Sequence, residues 1–110
     1  MEYQIREARI TDMEGVWKLI HELAVFEKEP HAVELSVADL ERDGFGAQPL
    51  FHCYVAENQS QEIIGIAIFY PRYSTWKGAV IHLEDLVVSQ AYRGQGLGNA
   101  LLKKVVSYAR

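Results

Sequence analysis

One stretch constrains this chain more than any other: Leu83-Glu84-Asp85-Leu86-Val87-Val88, followed after Tyr92 by Arg93-Gly94-Gln95-Gly96-Leu97-Gly98-Asn99. An apolar run, a short turn and a glycine-rich segment lead into Leu97, Leu101, Leu102, Val105, Val106 and Ala109 at helical spacing. The pattern predicts a buried strand, a turn and an amphipathic helix. The N-terminus of such a helix presents backbone N–H groups with partial positive charge, and glycines let a diphosphate approach them without a Cβ in the way. Arg93 adds a fixed cation beside them. The alternative reading is a tight strand-to-helix turn that binds nothing.

Spacing excludes two better-known phosphate loops. A P-loop requires Gly-Lys followed by Ser or Thr, whereas Gly98 is followed by Asn99; a dinucleotide fingerprint requires its third glycine at position 99. The remainder of the chain predicts a single α+β unit. Tyr3 to Arg6 reads as a first strand, and Thr11-Asp12-Met13-Glu14 as a capping box that opens a helix. The buried face of that helix is Val16, Leu19, Ile20 and Leu23, and Glu29-Pro30 is its expected stop. Ser36-Val37-Ala38-Asp39 caps a second, short helix, which Gly44 is expected to close in a left-handed conformation. Phe51 to Glu57 and Glu62 to Tyr73 form a predicted hairpin about Asn58-Gln59-Ser60-Gln61. Ala79 to Val88 follows as a third long strand and Gly98 to Arg110 as the last helix, giving the order β-α-α-β-β-β-α. The outer edge of Ala79 to Val88 is expected to lack its usual parallel neighbour.

With 110 residues, 49% of them hydrophobic, one modest core is expected. The net charge of -4 offers no basic footprint for nucleic acid and leaves cationic small molecules as plausible partners. A lone cysteine, Cys53, and the lack of a signal-peptide pattern or membrane-length apolar run make the cytoplasm the default compartment. Cys53 alternates with Phe51 and Val55 on one strand face and reads as an inert buried thiol. His82 stands two residues from Glu84, but without a cysteine pair or third histidine nearby no metal is expected.

Arg93-x-x-Gly96-x-Gly98 after a strand ending Leu86-Val87-Val88 resembles the coenzyme A signature of the GNAT family of N-acetyltransferases. The resemblance widens through Phe26-Glu27-Lys28, Asp43-Gly44-Phe45-Gly46, Phe51-His52-Cys53, Tyr73-Ser74-Thr75-Trp76-Lys77-Gly78 and Leu83-Glu84-Asp85 to the diamine acetyltransferases, and covers the whole chain. Within them, Ser74 stands where the spermidine/spermine enzymes have an aspartate, so the chain is more similar to the type 2, thialysine-acetylating branch. The resemblance implies the GNAT fold, a mixed and mostly antiparallel sheet with flanking helices. It also implies acetyl-CoA as cosubstrate, a small amine (thialysine-like amino acids, diamines or polyamines) as acceptor, and a homodimer.

The same resemblance assigns residues. Leu86, Val87, Val88, Arg93, Gly94, Gln95, Gly96, Leu97, Gly98 and Asn99 would hold the cofactor, and Phe26, Glu27, Glu84 and Trp76 the amine. For Phe26 and Trp76, ordinary packing stays equally open. An ammonium with a pKa of about 10.4 must lose a proton before it can attack a thioester, and Glu84 is the expected base, acting through water. Asp85 is expected on the opposite face of a regular strand, in a supporting role. A strand amide near Leu86, where the strand bulges, is the expected donor to the oxyanion. By the same comparison, residues 1–110 are expected to form one incomplete domain lacking its C-terminal strands and helix. The family's general-acid tyrosine falls beyond Arg110, and Tyr108 is not expected to replace it. A non-catalytic acyl-CoA-binding module, or an inactive fragment, is therefore the alternative function.

Overall fold

The computed structural model describes residues 2–110. The chain runs β1 (Tyr3–Glu7), α1 (Met13–Phe26), α2 (Val37–Phe45), β2 (His52–Asn58), β3 (Ile63–Ser74), β4 (Gly78–Val88) and α3 (Leu97–Ala109). Single 3-10 turns at Ile10–Asp12 and Gln90–Tyr92 precede α1 and α3. The four strands form one antiparallel sheet in the order β1-β2-β3-β4.

Strand alternation sorts the core onto two faces. Cys53, Val55, Ile66, Ile68 and Val87 pack with Met13, Val16, Leu19 and Leu40 beneath α1 and α2. Tyr54, Ala56, Ala67 and Phe69 pack with Leu97, Leu101 and Val105 beneath α3. Only half of the apolar stripe on α3 is covered, since Leu102 and Val106 stay exposed. The β2–β3 turn forms as expected: the Asn58 side-chain oxygen accepts from the Ser60 and Glu62 N–H groups, both at 2.9 Å.

Three local expectations are corrected. Thr11 and Glu14 form no capping box: Thr11 falls inside the 3-10 turn and Glu14 inside α1, and Asp12 accepts from the Arg9 N–H at 2.6 Å instead. Asp12 is also drawn to Arg6, whose guanidinium reaches it at 2.8 and 3.0 Å and Glu57 at 3.3 Å. Helix α1 stops at Phe26, three residues short of Glu29. Lys28 takes the left-handed conformation (φ 62), and the Lys28 and Glu29 N–H groups return to the Val25 and Ala24 carbonyls at 3.0 and 2.8 Å. This is a Schellman ending built on lysine rather than glycine. Gly44, for its part, does not close α2 in a left-handed conformation. It lies inside the helix, where a Cβ would stand 2.6 Å from Phe51 Cζ, so close packing is what requires glycine there.

Candidate active site

The register of β3 against β4 breaks at one place. Ile68 faces Asp85 and Phe69 faces Leu83, leaving Glu84 as the extra residue of a β-bulge. The bulge inverts the alternation. Ile81 and Leu83 pack toward α3, whereas Val87, an even number of residues further on, packs toward α1. Asp85 therefore does not point away from Glu84 as a regular strand would require. Both carboxylates line one cavity of about 300 Å³, walled by Leu35, Leu40, Phe51 and Ile68 and carrying Asp43 and Tyr70 as further polar groups.

Glu84 is the accessible member, its side chain 53% exposed and its Oε1 3.6 Å from His82 Nε2. Asp85 is half-buried; burial pushes its carboxyl above the usual carboxylate range, and the negative charges of Glu84 and Glu27 add to the effect. The arrangement gives an apolar slot with spread negative charge, suited to a molecule with a cationic head and an aliphatic body. Among the described residues, no three His, Cys, Asp or Glu side chains gather closely enough to hold a metal ion.

Immediately along β4 the chemistry changes. The Ser89 N–H donates to the Ile64 carbonyl at 2.8 Å. Inward and outward pairs alternate in an antiparallel ladder, so Leu86 and Val88 turn their backbone groups to the open edge. The Val88 carbonyl there accepts from Arg93 Nε at 3.1 Å. Gly94 and Gly96 both take φ 80, and Gly96 is the N-cap of α3, with no side chain to satisfy the first helical N–H groups. A Cβ at either glycine would meet nothing within 4 Å, whereas one at Gly98 would rest 3.6 Å from Val88 Cγ2. The uncapped N–H groups of Leu97, Gly98 and Asn99, the open glycines and Arg93 fit a phosphate group. The outward amides of Leu86 and Val88 fit an amide-bearing arm running beside the strand. A second cleft of about 310 Å³ joins these parts, lined by Leu23, Phe26, Leu86, Val87, Val88 and Arg93 among others.

Two tethers that sequence reasoning missed hold the turn. The Gln90 N–H donates to the Glu22 carboxylate at 3.3 Å, and Asn58 Nδ2 donates to the Tyr92 hydroxyl at 3.1 Å. Asp43 and Tyr70 were missed as well, because only the tertiary fold brings α2 and β3 to the bulge. Of the residues expected at the amine, Glu27 lies close enough to Asp85 to raise its pKa. Phe26 instead lines the phosphate-side cleft, with the Arg93 guanidinium 5.0 Å over its ring. Trp76 is 94% exposed at the β3–β4 turn and lines neither cavity. Gln95 and Asn99 are exposed beside the glycines, while Leu97 is core. Cys53 is buried, and burial, with a smaller contribution from Asp12, pushes its thiol up to about 12, as suits an inert group.

Residues 13–110 match the model of the acetyltransferase (GNAT) family. The chain is 44% identical over 113 residues to a mouse thialysine N-epsilon-acetyltransferase, covering 96% of this chain and 66% of that protein. It is 43% identical over 113 residues to the human spermidine/spermine N(1)-acetyltransferase-like protein 1, covering 97% of this chain and 16% of the relative. The crystal structure of a Trypanosoma brucei acetyltransferase superposes with a TM-score of 0.72 at 27% identity, over 99% of this chain and 75% of the other. The chain thus spans just under two thirds of the mouse relative's length and a much smaller part of the human one.

Proposed function

Because this chain belongs to the GNAT acetyltransferase family, we propose that it transfers an acetyl group from acetyl-CoA to the nitrogen of a small, cationic amine, of the thialysine, diamine or polyamine type. One observation carries the reading: the carboxylate cavity and the phosphate-compatible cleft are lined by consecutive residues of one strand, Glu84 and Asp85 followed by Leu86, Val87 and Val88. At about 3.4 Å per residue, the two halves of a transfer reaction meet within a few ångströms. The names of the relatives support the acceptor class.

Each residue then has a task. Asp43, Glu27 and Asp85 draw the ammonium into the cavity. Glu84, more exposed than Asp85 and extruded by the bulge, takes a proton from the nitrogen through water. Gly94 to Asn99 and Arg93 hold the diphosphate of the cosubstrate, and the outward backbone of Leu86 and Val88 aligns its arm. Acetyl-CoA supplies the acetyl group as an activated thioester, whose C–S bond breaks as the C–N bond forms, and coenzyme A leaves as a thiolate that takes its proton from solvent. The Leu86 N–H is placed to donate to the carbonyl oxygen as it gains negative charge. A homodimer and a cytoplasmic location belong to the same reading. The homodimer rests on membership of the family alone; a monomeric mass by light scattering would contradict it.

The test is steady-state acetylation of a panel of thialysine, lysine, spermidine and putrescine. Glu84→Gln is expected to lower kcat by about 10²-fold or more while leaving coenzyme A affinity unchanged. Unaltered kcat removes Glu84 from the role of base. Coenzyme A binding without any product, in the unsubstituted chain, favours a binding module instead.

A further inference from the structure

Phe26 is 64% exposed and belongs to neither core cluster, so burial does not account for a large aromatic side chain at the end of α1. Its place is nevertheless fixed. The Lys28 and Glu29 N–H groups fold the chain back onto Val25 and Ala24 directly behind it. From that position its ring carries the Arg93 guanidinium at 5.0 Å, while Arg93 Nε is bonded to the Val88 carbonyl at 3.1 Å. A guanidinium is planar and presents its donors along its edge. With its carbon over the ring and its Nε bonded to the strand, it keeps both Nη groups for another partner, and among the described residues they form no hydrogen bond. Those two groups are the ones that bind two oxygens of a phosphate in parallel.

We infer that Phe26 is a positioning residue for the cosubstrate: it holds the Arg93 guanidinium in the orientation from which Nη1 and Nη2 take a phosphate of acetyl-CoA. The inference rests on the acyl-CoA reading above and moves Phe26 from the amine half of the site to the cofactor half. The ring also lines the cleft along Leu86 to Val88, so its contact with Arg93 ties the end of α1 to the glycine turn beside that cleft.

A double-mutant cycle read by calorimetric titration with coenzyme A tests this, using the full chain, Phe26→Leu, Phe26→Tyr, Arg93→Ala and Phe26→Leu/Arg93→Ala. Leucine keeps apolar bulk and loses the ring's quadrupole. Phe26→Leu is expected to weaken coenzyme A binding by about two- to fivefold, the range of an exposed cation–π contact. Phe26→Tyr restores it, and in the Arg93→Ala background Phe26→Leu has no further effect. The KM for the amine stays unchanged throughout. An equal loss with and without Arg93, an unchanged affinity, or a rise in amine KM alone would overturn the inference. If the unsubstituted chain binds no coenzyme A, the acyl-CoA reading itself falls; if it binds and the cycle shows no coupling, only the role of Phe26 does.

Discussion

Two glycines of the turn, two residues apart, are predicted to respond to alanine in opposite ways. Gly96 has φ 80 and ψ 5, in the left-handed region where an L side chain costs about 1–2 kcal/mol. Nothing lies within 4 Å of the added Cβ, so the penalty is backbone strain with no packing to offset it. Gly98 lies within the first turn of α3 with no positive φ, and its Cβ would make an ordinary 3.6 Å contact with Val88. Replacing helical glycine by alanine gains up to about 1 kcal/mol, less near a helix end. Gly96→Ala and Gly98→Ala should therefore differ by about 2 kcal/mol in urea unfolding followed by circular dichroism, or roughly 8 °C in Tm for a domain of this size. Ligand binding should separate them too. The Gly96 Cβ enters the open side of the turn, where the anion is drawn, whereas the Gly98 Cβ points to the strand. Calorimetry should show Gly96→Ala weakening coenzyme A binding by about tenfold or more and Gly98→Ala changing it by less than about twofold. Undiminished binding by Gly96→Ala, or equal losses at both positions, would refute the reasoning.

Asp85→Asn should raise stability at neutral pH. A folded-state carboxyl pKa above the unfolded value means that stability falls as pH climbs from near 3.8 through the raised folded value. The advantage of asparagine should therefore appear at pH 7 and vanish at pH 3; a variant less stable than the parent at pH 7 would contradict the sign. Arg6→Ala strands Asp12 and Glu57, whose side chains are 10% and 22% exposed, and should cost about 2–4 kcal/mol. Burial pushes the Asp12 carboxyl up, but the Arg6 guanidinium and the Arg9 N–H outweigh it and hold the group below its usual range. Its contribution is thus lost as pH falls, and acid unfolding should shift to higher pH in Arg6→Ala. Lys28→Gly should gain about 0.5–1 kcal/mol by relieving the left-handed φ of 62 at the end of α1, a value reduced by the added freedom of the unfolded chain. Thermal unfolding checks it, and any loss of stability would show that the lysine side chain packs usefully there.

Element order was legible in the sequence because it depends on local patterns: the helical spacing of Val16, Leu19 and Leu23, the Ser36–Asp39 cap and the Asn58–Gln61 turn. The glycine turn was legible for the same reason, since its conformation is carried by glycine itself. A bulge in this strand was expected near Leu86, but its position at Glu84 was not legible, because it is a property of pairing with β3. The uninterrupted apolar run Leu86-Val87-Val88 also hides the change of phase that would have revealed it. Asp85 was consequently assigned to the wrong face. Gly44 was read as a helix stop because its true constraint, the ring of Phe51, comes from the next element. Phe26 carries no local sign that its partner is Arg93, far along the chain, and Asp43 and Tyr70 reach the cavity only through the packing of α2 and β3 around the bulge.

The central claim, that the β4 strand joins a coenzyme site to an amine site for acetyl transfer, is tested most directly by incubating the chain with acetyl-CoA labelled in its acetyl group and with the amine panel, then recording both products by mass spectrometry. The account predicts labelled acetyl on the amine nitrogen in amounts matching the free coenzyme A released, with both lost in Glu84→Gln. Release of coenzyme A without acetylated amine, or no release by a chain that binds acetyl-CoA, would contradict it.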